Sequence, residues 1–330
     1  MASRVSGQSA APGVHSIDHF CIAVPDVDKA RHFFSNFGLD VRDVAAGIDL
    51  YTYGNGHRWG SVRQGSAKRL QYLSLLAYPE DMDRFRAHLQ RSGIPITQPP
   101  DGAPAGKDEI WVSAPDGLAI RIIAGSKNSP VAPEGIAPSE RHSTERGSPM
   151  RGTTPPTRPR RLAHVLMFTA DLDAALAFFG SVLGLKLSDR SGGVAFMHGA
   201  HGGDHHLLAF AQSDGYGMHH SAWTVGSIDE IGLGWEHMNA SGYARGWGLG
   251  RHVLGSNYFR YIRDPWGSYA EYSFDIDFIS ASADWVASSP PPENSLYLWG
   301  PEVPEDFVRN CETNPVSSAR TPLRPRLRHR

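Results

Sequence analysis

Apolar and polar positions along this chain fall into a recurring unit. Residues 17–24 form a short apolar run that reads as a strand, Asp26 follows, and Phe33 and Phe34 mark the buried face of an amphipathic helix that leaves through Gly38-Leu39. The unit returns at a constant offset: His19, Asp26 and Phe33 correspond to His164, Asp171 and Phe178, and the second copy leaves through Gly184-Leu185. Asp26 and Asp171 are expected helix N-caps, because a carboxylate there accepts from backbone N–H groups that lack helical partners. Phe33, Phe34, Phe178 and Phe179 are expected in the core.

Weaker copies begin near Leu70 and near Met218, and strand-like sequence such as 119–123 and 258–262 follows the helices. The pattern predicts an α+β fold of four βαβββ modules, paired into two similar domains, each a curled mixed sheet flanked by helices. The expected divisions are a leader at 1–13, an N-terminal domain at 14–125 and a Pro/Ser-rich mobile linker at 126–160. A second domain at 161–285 follows. An ordered extension at 286–316 packs its aromatics on that domain, and a basic disordered tail occupies 317–330.

Composition narrows the function classes. The chain has 330 residues, 40% of them hydrophobic, and a formal net charge of −2, which gives no overall drive toward nucleic acid or membrane. No apolar run is long enough for a membrane span or a secretory signal. Two cysteines, Cys21 in an apolar strand and Cys311 in a tail, argue against a disulfide scaffold and for a reducing cytoplasm. The 16 histidines are more informative, with several between 198 and 252.

His164, His220 and Glu271 each lie in a strand-like segment. Together they offer two imidazoles and one carboxylate, the donor set of non-haem Fe(II) oxygenases. Taken singly, each histidine reads as an ordinary core or surface residue. His219 rivals His220; alternation along the strand sends the two to opposite faces, and alignment with His164 favours His220. Around Glu271 the order Gly250, His252, Tyr261, Asp264, Pro265, Gly267, Glu271 resembles the motif of the type I extradiol ring-cleavage dioxygenases, of the vicinal oxygen chelate (glyoxalase–bleomycin resistance) superfamily. Arg260 departs from that motif, which has an apolar residue there, and is expected to face solvent. The resemblance covers most of 14–285.

Carried over residue by residue, the resemblance implies metal ligands at His164, His220 and Glu271. It implies an acid–base histidine at His206, with His205 as the competing choice, and substrate contacts from His252 and Tyr261. Phe196, Met218, Trp223, Trp247 and Leu254 are candidates for the pocket wall. In the first half the ligand positions become His19, Tyr72 and Arg121; a guanidinium cannot ligate iron, so that half is expected to lack a metal site. The implied activity is Fe(II)-dependent cleavage of a catechol beside its diol, with both atoms of O2 entering the product; the ligand set also admits Mn(II). The implied partners are a catecholic small molecule, O2 and further copies of the chain in a homo-oligomer. A metal-free binding protein and a glyoxalase-type isomerase or lyase are the alternatives on the same fold.

Overall fold

The computed structural model describes residues 12–134, 144 and 146–313. Most of the leader, the basic tail and residues 135–143 of the linker lie outside them.

The first module is β1 (Ser16–Val24), α1 (Val27–Asn36), β2 (Asp40–Val44), β3 (Gly47–Tyr51) and β4 (Arg58–Gln64). The second is β5 (Arg69–Ala77), α2 (Met82–Arg91), β6 (Ile110–Ser113) and β7 (Ala119–Ala124), with two strands after its helix where the repeat predicts three. The third contains β8 (Arg161–Thr169), α3 (Leu172–Ser181), β9 (Leu185–Ser191), β10 (Val194–Gly199), a two-residue β11 (Gly203–Asp204) and β12 (Leu208–Gln212). The fourth contains β13 (Gly217–Thr224), α4 (Ile228–Ala240), β14 (Gly246–Arg251), β15 (Tyr258–Arg263) and β16 (Tyr269–Phe274); a short β17 (Phe278–Ile279) then pairs with β11.

Asp26 accepts from the Lys29 N–H at 2.9 Å and Asp171 from the Ala174 N–H at 3.0 Å, so both act as the N-caps their positions predict. Phe33, Phe34 and Phe179 are buried; Phe178 is half-buried against the same core.

Two mixed sheets result, in the orders β2-β3-β4-β1-β5-β7-β6 and β14-β15-β16-β13-β8-β12-β10-β9. In each, the opening strands of two modules run antiparallel at the centre, β1 with β5 and β8 with β13. Each pairs on its other side, in parallel, with the last strand of its own module. Covered on both faces, β1 and β8 are buried at every position, polar residues such as Asp18, His19 and His164 included.

One apolar cluster runs through both halves. Phe37, at the end of α1, stacks on Tyr272 of β16 at 4.0 Å, and the Tyr272 hydroxyl donates to the Phe37 carbonyl at 2.8 Å. Each such buried ring contributes about 1.5–3 kcal/mol. The described start of the linker lies along β1, where Asn128 Nδ2 donates to the Ile17 carbonyl at 2.9 Å and Ser129 Oγ to that of His15 at 2.7 Å.

One expectation is corrected. Arg260 is buried, not solvent-facing: its guanidinium lies 3.5 Å over the Trp235 ring and donates to the Gly248 carbonyl. A flat cation stacked on an indole fills an apolar position well. Cys311, in the C-terminal extension, is buried against the turn at Gly267. No helix among the described residues is long and apolar enough to cross a membrane.

Candidate metal centre

The sheet order β16-β13-β8 brings three strands side by side. His164 and Glu271 both lie opposite Ala222, one across each edge of β13. His220 is two residues from Ala222 along that strand, and therefore on the same face. One donor atom from each of His164, His220 and Glu271 can be chosen so that all lie within 4.8 Å of one another; among the described residues no other such grouping is found.

All three side chains are buried. Glu271 Oε2 is 3.3 Å from His164 Nε2 and 3.2 Å from His220 Nε2. Yet Glu271 Oε2 and His220 Nε2 have no hydrogen-bond partner. Buried polar atoms without partners cost 1–3 kcal/mol each, about, unless something else satisfies them. Two nitrogens and a carboxylate oxygen converging on one point suit a divalent cation, so the residues fit the metal that the motif implies.

The other Glu271 oxygen is fixed by a residue the sequence reading missed. Asn257 Nδ2 donates to Glu271 Oε1 and to Ser273 Oγ, both at 3.0 Å. Asn257 lies inside the motif string between His252 and Tyr261, but nothing local marks its partner.

The β15–β16 hairpin accounts for the motif spacing. Asp264 Oδ1 accepts from the N–H groups of Trp266 and Ser268, and Gly267 closes the turn at φ +103°, where a side chain would be strained and would strike Cys311. The turn sets a register with Tyr261 directly opposite Glu271.

A cavity of about 200 Å³ adjoins the two imidazoles, lined by His164, His206, His220, His252 and Tyr261 among others. His252 Nδ1–H donates to the Leu296 carbonyl at 2.6 Å, so its Nε2 accepts the Tyr261 hydroxyl at 2.9 Å. Burial pushes His252 down to about 4 and Tyr261 well above its ordinary value, the latter reinforced by Glu271. Tyr261 therefore keeps its proton as a hydrogen-bond donor.

His206 faces the cavity, 4.0 Å ring to ring from His164. Burial, then the neighbouring histidines, hold it well below the ordinary imidazole value. His205 stands behind it: Nε2–H donates to Asp189 Oδ2 at 2.7 Å and Nδ1 meets His206 Nδ1 at 3.1 Å. Asp189 in turn accepts from the Ser288 N–H at 2.7 Å and from the Ser288 hydroxyl.

His219 does not turn to the opposite face. A β-bulge between Met218 and His220 leaves His219 as an extra residue, so both rings line the cavity. Of the expected wall residues, Phe196 and Leu254 line the cavity; Met218, Trp223 and Trp247 do not. Trp247 braces Tyr261 in a stacked pair at 5.6 Å, and Trp223 meets Phe20 between the sheets. A larger open groove of about 780 Å³ lies between α1, α4 and residues 151–158, but its Arg151–Glu236 and His237–Asn36 groups are paired with each other.

In the first sheet the equivalent positions are closed by protein groups. His19 pairs with Asp18 at 2.6 Å and with the Tyr72 hydroxyl at 3.0 Å, while Arg121 Nε donates to Glu109 at 2.7 Å.

The model of the Glyoxalase/Bleomycin resistance protein/Dioxygenase superfamily matches residues 16–122 and 161–272, one segment in each sheet. The chain is 42% identical to Metapyrocatechase 2 of Cupriavidus necator, over 94% of this chain and 97% of that protein. It is 27% identical to a biphenyl-2,3-diol 1,2-dioxygenase of Metapseudomonas furukawaii, over 87% of this chain and 93% of that one. The structure of an extradiol ring-cleaving dioxygenase from B. fuscum superimposes with a TM-score of 0.71 at 21% identity, covering 91% of this chain and 83% of that chain; this is a likeness of fold.

Proposed function

The chain belongs to the Glyoxalase/Bleomycin resistance protein/Dioxygenase superfamily and is a ring-cleavage dioxygenase within it; from that premise we propose Fe(II)-dependent extradiol cleavage of a catechol, with both atoms of O2 entering a ring-opened semialdehyde acid. The observation that carries the reading is the convergence of the buried His164, His220 and Glu271, with His220 Nε2 and Glu271 Oε2 lacking hydrogen-bond partners, beside a cavity that His164 and His220 line. These three residues would hold the ion. When bound there, Fe(II) supplies the redox chemistry and open positions for a diol and dioxygen.

The chain's own residues do the rest. Asn257 turns the Glu271 carboxylate so that Oε2 points at the other two donors. Tyr261 and His252 present a hydroxyl and an imidazole to the substrate oxygens at the cavity wall. His206, which burial and the neighbouring histidines keep uncharged, offers a ring nitrogen to the cavity that takes up a proton during the reaction and returns it. Leu166, Val194, Phe196 and Leu254 exclude water and hold the flat ring.

The glyoxalase-type alternative draws ligands from both halves of a paired site. Here all three come from the second sheet. A metal-free binding protein would have no use for buried, unpartnered donors aimed at one point.

The test is anaerobic Fe(II) loading of the purified chain, then a catechol panel followed by oxygen uptake and yellow product. Glu271→Ala is expected to abolish iron retention and turnover together; a variant that keeps both overturns the assignment. His206→Asn is expected to slow turnover about 10²–10⁴-fold with iron retained.

A further inference from the structure

His219 and His220 are consecutive, yet their rings face each other with Nδ1 to Nδ1 at 2.7 Å. Two bare nitrogens would repel at that distance, and two N–H groups would clash, so one proton lies between them. Its owner is decided on the far side of His219, whose Nε2 is 2.8 Å from the Phe307 carbonyl. A carbonyl only accepts, so Nε2 of His219 carries the proton of that neutral ring and its Nδ1 is bare. The proton shared by the pair therefore belongs to Nδ1 of His220. That leaves a lone pair on His220 Nε2, the atom that faces Glu271 Oε2 without a hydrogen bond.

The backbone is built to hold this arrangement. The bulge makes His219 an extra residue directly after Met218, which still stands opposite Met167 of β8. The Met218 peptide groups are held by side chains from elsewhere in the chain. The Met218 N–H donates to Glu312 Oε1 at 2.9 Å; its carbonyl accepts from Lys68 Nζ at 3.1 Å and from Ser268 Oγ at 2.6 Å. Glu312 lies five residues beyond Phe307, so the segment that supplies the carbonyl also pins the bulge.

We propose that His219 is the positioning residue of the metal centre: held by the Phe307 carbonyl, it keeps the His220 proton on Nδ1 and the Nε2 lone pair turned to the site. This rests on the metal reading above and goes beyond it by assigning the ligand's tautomer to a neighbour and to the C-terminal extension. The partner of a ligating imidazole sets its orientation and basicity, and its loss lowers metal affinity about 10–100-fold.

Two measurements on the full chain test it. The first titrates the metal-free wild type, His219→Asn and His219→Leu with Fe(II) under anaerobic conditions. Asn keeps an oxygen acceptor near the Nδ1 position, and Leu keeps bulk without one. The expected result is affinity within about threefold of wild type for Asn and a loss of about 10–100-fold for Leu. Leu binding as wild type does, or Asn losing as much as Leu, overturns the proposal. The second records ¹⁵N-histidine NMR spectra of the metal-free wild type, which needs no variant to fold. A His220 ring protonated at Nδ1 is expected; protonation at Nε2 overturns the proposal. A wild-type chain that takes up no divalent metal would instead defeat the metal reading, with the spectrum still deciding the role of His219.

Discussion

Asn257 shows how much a single uncharged side chain decides. Its amide fixes Glu271 Oε1 and so determines which carboxylate oxygen meets the two imidazoles. Asn257→Ala is expected to weaken Fe(II) binding about tenfold and to cost about 1–2 kcal/mol of stability, read by anaerobic metal titration and urea unfolding. His15 carries a pH effect away from the site. It is buried, its Nε2–H donates to the Gly125 carbonyl at 3.2 Å, and burial pushes its imidazole down to about 4 from 6.5. Between those values the unfolded chain binds the proton and the folded chain does not. Stability is therefore full above about pH 6.5 and falls as the pH drops toward 4. His15→Gln is expected to remove about 1–2 kcal/mol of the loss between pH 7 and 4, measured by urea melts at both. Residue types were legible in the sequence at both positions. Their partners were not, because each is far along the chain or across a strand pair.

At the scale of elements, the C-terminal extension belongs to the site as much as the strands do. The Phe307 carbonyl holds His219, the Leu296 carbonyl holds His252, and Ser288 holds Asp189 behind His205. Backbone groups carry no residue signature, so the sequence could mark this segment as ordered but not give it a task. The extension is tied to the first half by a buried ion pair, Lys68 Nζ to Glu312 Oε1 at 2.7 Å, and by the Leu70 N–H to Glu312 Oε2 at 2.7 Å. Lys68→Met would leave the Glu312 carboxylate buried and unpaired. It is expected to cost about 3–5 kcal/mol in urea unfolding, with Lys68→Met/Glu312→Gln recovering part of that loss. Equal loss in both variants would mean that the ammonium contributes packing alone.

Across the whole molecule, a duplicated sheet carries one open site and one closed one. The same strand positions hold His164, His220 and Glu271 in the second half, and His19, Tyr72 and Arg121 in the first, where hydrogen bonds and the Arg121–Glu109 pair fill the space. The open cavity is small, about 200 Å³, and among its described lining residues there is no lysine, arginine, aspartate or glutamate. A carboxylate entering it would lose water and find no cationic side chain to pair with. Catechols with methyl or chloro substituents are therefore expected to exceed ring-carboxylated catechols by at least about tenfold in kcat/KM; parity would show that the cavity opens further in solution. The four-module pattern, the two capped helices and the order of the three donors were determined by the sequence itself. They follow from local periodicity, from residue chemistry and from a repeat that can be aligned with itself. The tertiary structure alone decided that His219 turns beside His220, that Arg260 is buried on Trp235, that Asn257 aims Glu271 and that the extension's carbonyls fix the imidazoles. A bulge reverses the alternation from which a side chain's direction is read, and hydrogen bonds across long separations arise only when distant strands pack, so neither leaves a trace in local sequence.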